Sequence, residues 1–204
     1  MMNDCTHALA PLTDPGIAVP ETHASSESKQ LSSALAGDGE AFAALVRPHL
    51  PMLYRIAARQ TRNESLAEDA VQEALVIVCD RLASYRPGTS LKAWMAAIVM
   101  TRAKTLARSE RRRAAREESA KGPSPLPAPS ARLDSDELIT RVRDALDTLP
   151  AKRRQAAILR LDGGLTHGEI AEVLGSTEGS VRVLVHLALT SLREALSQPP
   201  DGRG

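Results

Sequence analysis

The chain has 204 residues, four of them aromatic, and a formal net charge of +1. That length suits one medium domain or two small ones, and so few aromatics beside much Ala, Leu and Val argue for helices and against a sandwich or barrel. Cys5 and Cys79 match no metal or disulfide framework, no apolar run nears the roughly 20 residues of a membrane-spanning helix, and the N-terminus has no secretory pattern, so a cytoplasmic protein is expected.

Residues 1–36 are polar, carry Pro11, Pro15 and Pro20, and show no sustained periodicity, so they read as a disordered arm. Helices follow at 38–47, with Asp38 as N-cap, at 50–61 after Pro48 and Pro51, and at 64–84, capped by Asn63 or Ser65. In the third, Leu66, Ala70, Val71, Ala74, Leu75 and Val78 follow the 3.6-residue period. Cys79, in the same apolar run, reads as a buried free thiol. The Pro-Gly pair of 86–90 marks a turn. A helix over 90–113 then buries Leu91, Trp94, Met95, Ile98 and Val99 and becomes basic beyond Thr101.

Charge is unevenly spread. Residues 1–37 sum to −3, residues 38–121 to +5 and residues 134–204 to −2. Seven basic residues and one Glu fall within 102–116, a density that favours a polyanion partner through counterion release. Four prolines at alternate positions in 120–133 predict an extended linker. It separates an N-terminal module, 37–118, from a C-terminal module, 134–197, with linker 119–133 between them and a tail at 198–204.

The C-terminal module predicts helices at 135–147, 151–161, 166–173 and 177–196. Thr166 and Glu169 have the spacing of a capping box. Gly175 sits where a tight turn needs a residue that tolerates positive φ. The last two helices read as a helix-turn-helix. The fold class is all-α, in two small helical domains. The five histidines have no triad or metal-ligand spacing, so no catalytic residue, metal site or cofactor is expected.

The segments AEDAVQEALVIV (67–78), YRPGTSLKAWMAAI (85–98) and the stretch 145–196 resemble, in that order, the bacterial RNA polymerase sigma factors of the extracytoplasmic-function (ECF) group. The resemblance covers 38–113 and 135–196. It implies a dissociable specificity subunit and not an enzyme. The first domain would dock on the clamp helices of core RNA polymerase and open the −10 promoter element. The second would dock on the polymerase flap and read the −35 element. It also implies sequestration by an anti-sigma factor, often membrane-anchored.

The resemblance maps roles onto residues. Glu68, Asp69, Gln72 and Glu73 form an acidic stripe for polymerase docking. Arg102, Lys104, Arg108, Arg111 and Arg112 are candidates for phosphates near the −10 element, with Thr101 and Thr105 beside them. Trp94 reads as core, and Tyr85, beside Arg86 and the turn, as the aromatic nearer to unstacked bases. For the −35 element the candidates are Arg153, Arg154, Thr177, Ser180, Arg182, Val183, His186, Leu187 and Thr190.

Two departures stand out. Met100, Thr101 and Thr105 occupy places where the group carries base-contacting residues, and Leu187 and Thr190 stand where it offers Arg and Lys. Phosphate contacts position a protein and base contacts specify, so promoter preference is expected to shift. Val183 and Leu187 are left to meet thymine methyls, a partner protein or only water. These departures also sustain a rival reading, a sigma-like decoy that binds polymerase or an anti-sigma factor and reads little DNA.

Overall fold

The computed structural model describes residues 21–121 and 135–197. They form nine α-helices: α1 (Glu21–Leu35), α2 (Gly39–Val46), α3 (Leu50–Thr61), α4 (Glu64–Arg81), α5 (Leu91–Lys121), α6 (Ser135–Thr148), α7 (Ala151–Leu161), α8 (His167–Leu174) and α9 (Glu178–Ser197). Among the described residues there is no strand, only one isolated bridge between Pro87 and Thr89.

The expected caps are made. Asp38 accepts from the amides of Glu40 and Ala41 at the start of α2, and Asn63, not Ser65, accepts from Leu66 at the start of α4. At α8 the Thr166 hydroxyl accepts from the Glu169 amide at 3.2 Å, and the Glu169 carboxylate accepts from the Thr166 amide at 2.7 Å. Each bond satisfies a donor that the first turn would otherwise leave open. Gly175 ends α8 in the left-handed region at φ 57°, where a side chain would be strained.

Two expectations need correction. Residues 21–35 of the expected disordered arm are helical, with Leu31 buried and Ala34 packed on the core. Leu31 and Ala34 stand one turn apart, a pair too short to show as a period in the sequence. Residues 1–20 lie outside the described ones. Secondly, α5 runs past 113 and through the first three residues of the expected linker, to Lys121. Nothing between Thr101 and Lys121 breaks a helix, and Arg113 pairs with Glu110 and Glu117 one turn away on either side. The prolines at 123–129 lie outside the described residues.

In the first half, α3, α4 and α5 pack around Leu53, Ile56, Val78, Met95 and Val99. Ala67, Ala70 and Ala74 form a fully buried small-residue stripe on α4, which lets its neighbours approach closely. In the second half, Ile158, Leu159, Leu165, Ile170, Val181 and Val185 hold α7, α8 and α9 together. The α6 helix covers their far side through Ala145 and Leu146, with Leu149 just past its end.

The two halves are in contact. Helix α8 packs on α5 and α7 on α3, and one continuous apolar cluster runs from Leu53 and Ile56 to Ile158 and Leu165. Gly163 is fitted to this join. A Cβ there would stand 2.5 Å from the Leu159 carbonyl oxygen, 2.8 Å from Leu165 Cδ1 and 3.2 Å from Ile56 Cδ1.

Candidate nucleic-acid and partner surfaces

On α4 the period that buries Ala67, Ala70, Ala74 and Val78 turns Glu68, Asp69 and Gln72 to solvent. Glu73 is different. It accepts from Arg102 Nε at 2.9 Å, and the terminal nitrogen of Arg102 is bound to the same oxygen. Two side chains read for separate partners, polymerase and DNA, are thus committed to each other. The sequence reading missed Val76, 61% exposed and one turn beyond Gln72, so the acidic stripe carries an apolar spot. Cys79 lies on this outward side and is exposed, not buried, because Val78 takes the inward position.

Tyr85 is also corrected. It is 8% exposed, its ring packs against Trp94 at 5.5 Å and 46°, and its hydroxyl donates to the Thr89 carbonyl at 2.6 Å. Burial pushes the phenol pKa up, while its bond to Thr89 works the other way. It braces the 85–90 turn and is closed to a base. Trp94, read as core, is half-buried, and its open edge lines a cleft of about 520 Å³ with Arg86, Ser90 and Val173 of α8.

Along α5 the expected basic residues differ in exposure and pairing. Met100, one of the departures seen in the sequence, is buried. Thr101 and Thr105 are exposed, and their hydroxyls donate back to the carbonyls of Ala97 and Thr101 at 2.8 and 2.9 Å. They keep lone pairs to offer but no free proton. Lys104, Arg108, Arg111 and Arg112 are exposed. Among the described residues no acid is within ion-pair distance of any of these four.

On α9, Val181, Val185, Ala188 and Leu192 are buried, as their spacing predicts. Ser180, Arg182 and His186 are exposed. Thr177 caps the helix, accepting from the Ser180 amide at 3.3 Å, and Arg182 pairs with Glu178 at 3.2 Å on the surface. Val183 and Leu187 part company: Val183 is 56% exposed, whereas Leu187 is half-buried, as is Thr190. Arg153 is half-buried. Arg154 is not a free hand for phosphate. Its guanidinium donates to the Asp147 carboxylate at 3.2 Å and to the carbonyls of Asp147 and Leu149 at 3.0 and 3.2 Å. It ties α7 to the end of α6.

The join between the halves is polar at its edges. Arg59 donates twice to the Asp162 carboxylate, both at 3.2 Å, and Arg55 donates to the Asp162 carbonyl at 3.1 Å. Lys92 donates to the Gly164 carbonyl at 2.7 Å, and Ser90 to Glu169 at 2.6 Å. Arg62 pairs with Asp147 and donates to the Arg143 carbonyl. Burial opposes the charge of Glu169, but donors from Ser90 and Thr166 and the nearby Lys92 outweigh it, and its pKa lies below the ordinary 4.5. No local signal could have announced these contacts, since their partners are 72 to 107 residues apart.

Comparison with known proteins follows the same division. The family model for Sigma-70 region 2 matches residues 45–113, and that for Sigma-70, region 4 matches 139–192. The RNA polymerase sigma factor CarQ of Myxococcus xanthus is 32% identical over 166 residues, 79% of this chain and 92% of that protein. The ECF RNA polymerase sigma factor SigE of Mycolicibacterium smegmatis is 32% identical over 157 residues, 76% of this chain and 61% of that protein. Among solved structures, the sigma factor RpoE from Bartonella quintana, co-crystallised with the anti-sigma factor NepR, is similar with a TM-score of 0.59 and 26% identity, covering 78% of this chain and 98% of that one.

Proposed function

The chain belongs to the ECF group of the sigma-70 family, and from that premise we propose how its surfaces divide the work of transcription initiation. It binds core RNA polymerase and directs initiation at specific promoters, under the control of an anti-sigma factor, in the cytoplasm. Helix α4 docks on polymerase through Glu68, Asp69 and Gln72. Lys104, Arg108, Arg111 and Arg112 of α5 hold template phosphates near the −10 element. Helix α9 enters the −35 major groove with Ser180, Arg182, Val183 and His186 leading. It acts as a transcription factor, with no reaction of its own.

The observation that carries this reading is the pairing, in order, of the two family matches with an unpaired cationic face on α5. Four exposed cations without acid partners among the described residues are placed for phosphate and add steep salt dependence. The exposed Val183 suits apolar contact with a thymine methyl.

This reading also requires the two halves to separate. Centres of −10 and −35 elements lie about 25 base pairs apart, roughly 85 Å at 3.4 Å per pair. Even α5, with 31 residues, is only about 46 Å long at 1.5 Å per residue. Domains in direct contact cannot span that distance, so the closed arrangement is a resting form and promoter binding follows opening.

The test adds purified protein to core polymerase and genomic fragments and sequences the transcripts. A start-site motif that depends on this chain is the expected result. Core binding without specific initiation would overturn the reading in favour of a decoy.

A further inference from the structure

We propose that the seam between α5 and α7 is a binding site for a compact polyphosphate anion, completed only when the two halves are closed. The site goes beyond promoter reading, and its occupancy can be measured with no DNA or polymerase present.

The seam holds a cavity of about 380 Å³ walled by Gln60, Lys104, Arg108 and Arg111 on one side and by Arg154 and Gln155 on the other. A second of about 500 Å³ continues it along α5, sharing Lys104, Arg108 and Gln155 and adding Arg112. The lining of the two contains no acid and five cations, of which all but Arg154 lack an acid partner among the described residues. An ordinary protein surface intersperses the two signs. Arg154 answers to Asp147 outside the cavity, but its Nε is buried without a partner. The Gln60 side-chain oxygen, in the same wall, is buried and unpartnered too. Such orphaned groups are rare in native proteins and call for a missing partner.

Two further features converge on the same spot. Ala151, the first residue of α7, lines the cavity, and Pro150 at the N-cap supplies no side-chain acceptor. The opening amides of an 11-residue helix therefore lack intrahelical partners at the cavity wall. Closure also crowds like charges. The pKa of Arg62 is lowered by burial, which Asp144 opposes, and by Arg154, Arg111 and Arg143 around it. A multivalent anion would relieve that crowding and pair the fork of Arg108 or Arg111 bidentately. A cavity of this size, closed by a helix on each side, takes a short run of phosphates and not a duplex. Because Lys104, Arg108 and Arg111 are also the proposed −10 phosphate contacts, an occupied seam would keep them from DNA.

The experiment titrates sodium tripolyphosphate into the full chain at low ionic strength, by calorimetry. Parallel arms use orthophosphate, a nucleoside triphosphate and a short single-stranded oligonucleotide. Expected are one site per chain, tripolyphosphate and nucleoside triphosphate both well above orthophosphate, and at least tenfold weaker binding in Arg108→Gln and in Gln155→Glu. Gln155→Glu places an acid in the cavity at a half-buried surface position, and an unchanged thermal melt without ligand certifies its fold. Arg193→Gln, an exposed cation on α9, should bind like the parent. Equal losses in Arg193→Gln, several ions per chain, or no binding would overturn the proposal. So would an oligonucleotide that binds more tightly than tripolyphosphate and loses as much in Gln155→Glu, because the seam would then be a nucleic-acid track.

Discussion

Replacing Asp162 by Asn tests the join between the halves with little change of shape. Asp162 and Arg59 share two hydrogen bonds of 3.2 Å, with side chains 14% and 27% exposed. A charge-assisted pair of this kind contributes on the order of 1.5–3 kcal/mol net. Discounting for the partial exposure of Arg59, and for the one bond an Asn oxygen can still accept, leaves about 1–2 kcal/mol. That is roughly a 5- to 30-fold change in the ratio of closed to open molecules. The assay is energy transfer between dyes on the exposed thiol of Cys79 and on a Glu194→Cys thiol of α9, with Cys5→Ser removing the third site. Titrating salt until half of the molecules are open gives a midpoint. Asp162→Asn should move that midpoint to clearly lower salt. Glu178→Gln, which breaks the exposed pair with Arg182, should leave it in place. An unchanged midpoint in Asp162→Asn, with the thermal melt also unchanged, would refute the claim that this pair holds the halves together.

Glu169 links the same join to pH. Its pKa in the folded chain lies below the ordinary 4.5, so its contribution is fully present above about that pH and is lost as pH falls through the depressed value. Thermal melts from pH 7 down to pH 3 should show Glu169→Gln less stable at neutral pH and losing less on acidification than the parent. Tyr85→Phe removes only the bond to Thr89, at a cost of about 1 kcal/mol. It should lower the melting temperature by a few degrees and leave promoter opening unchanged; a lost open complex, scored by permanganate footprinting, would return Tyr85 to the DNA. Leu187→Arg, on the proposed reading helix α9, should tighten binding to promoter fragments and steepen its salt dependence by about one phosphate contact. No change in the salt slope in a gel-shift series would show that position 187 does not face phosphate.

Features settled within one or two turns of chain were legible in the sequence. Asp38, Asn63, the Thr166–Glu169 box and Gly175 each act on backbone a few residues away, so spacing alone places them. The inward stripes of α4 and α9 follow from the 3.6 period, and the order of the family motifs pointed to the sigma factors. Helix α1 escaped because its burial rests on very few side chains, Leu31 and Ala34 among them. Cys79 escaped because an apolar run does not say which of two neighbours, Val78 or Cys79, turns inward.

Charge is where sequence and structure divide most clearly. The chain states that 102–116 is basic and that α4 carries acids, but not which charges neutralise each other. Glu73 with Arg102, Asp147 with Arg62 and Arg154, and Asp162 with Arg59 leave the free set, while Lys104, Arg108, Arg111 and Arg112 stay in it. A cap or a helical stripe is a local property, encoded by neighbours in the chain. An ion pair or a seam is a property of approach, and only the packing of α3 and α5 against α7 and α8 sets which distant side chains meet.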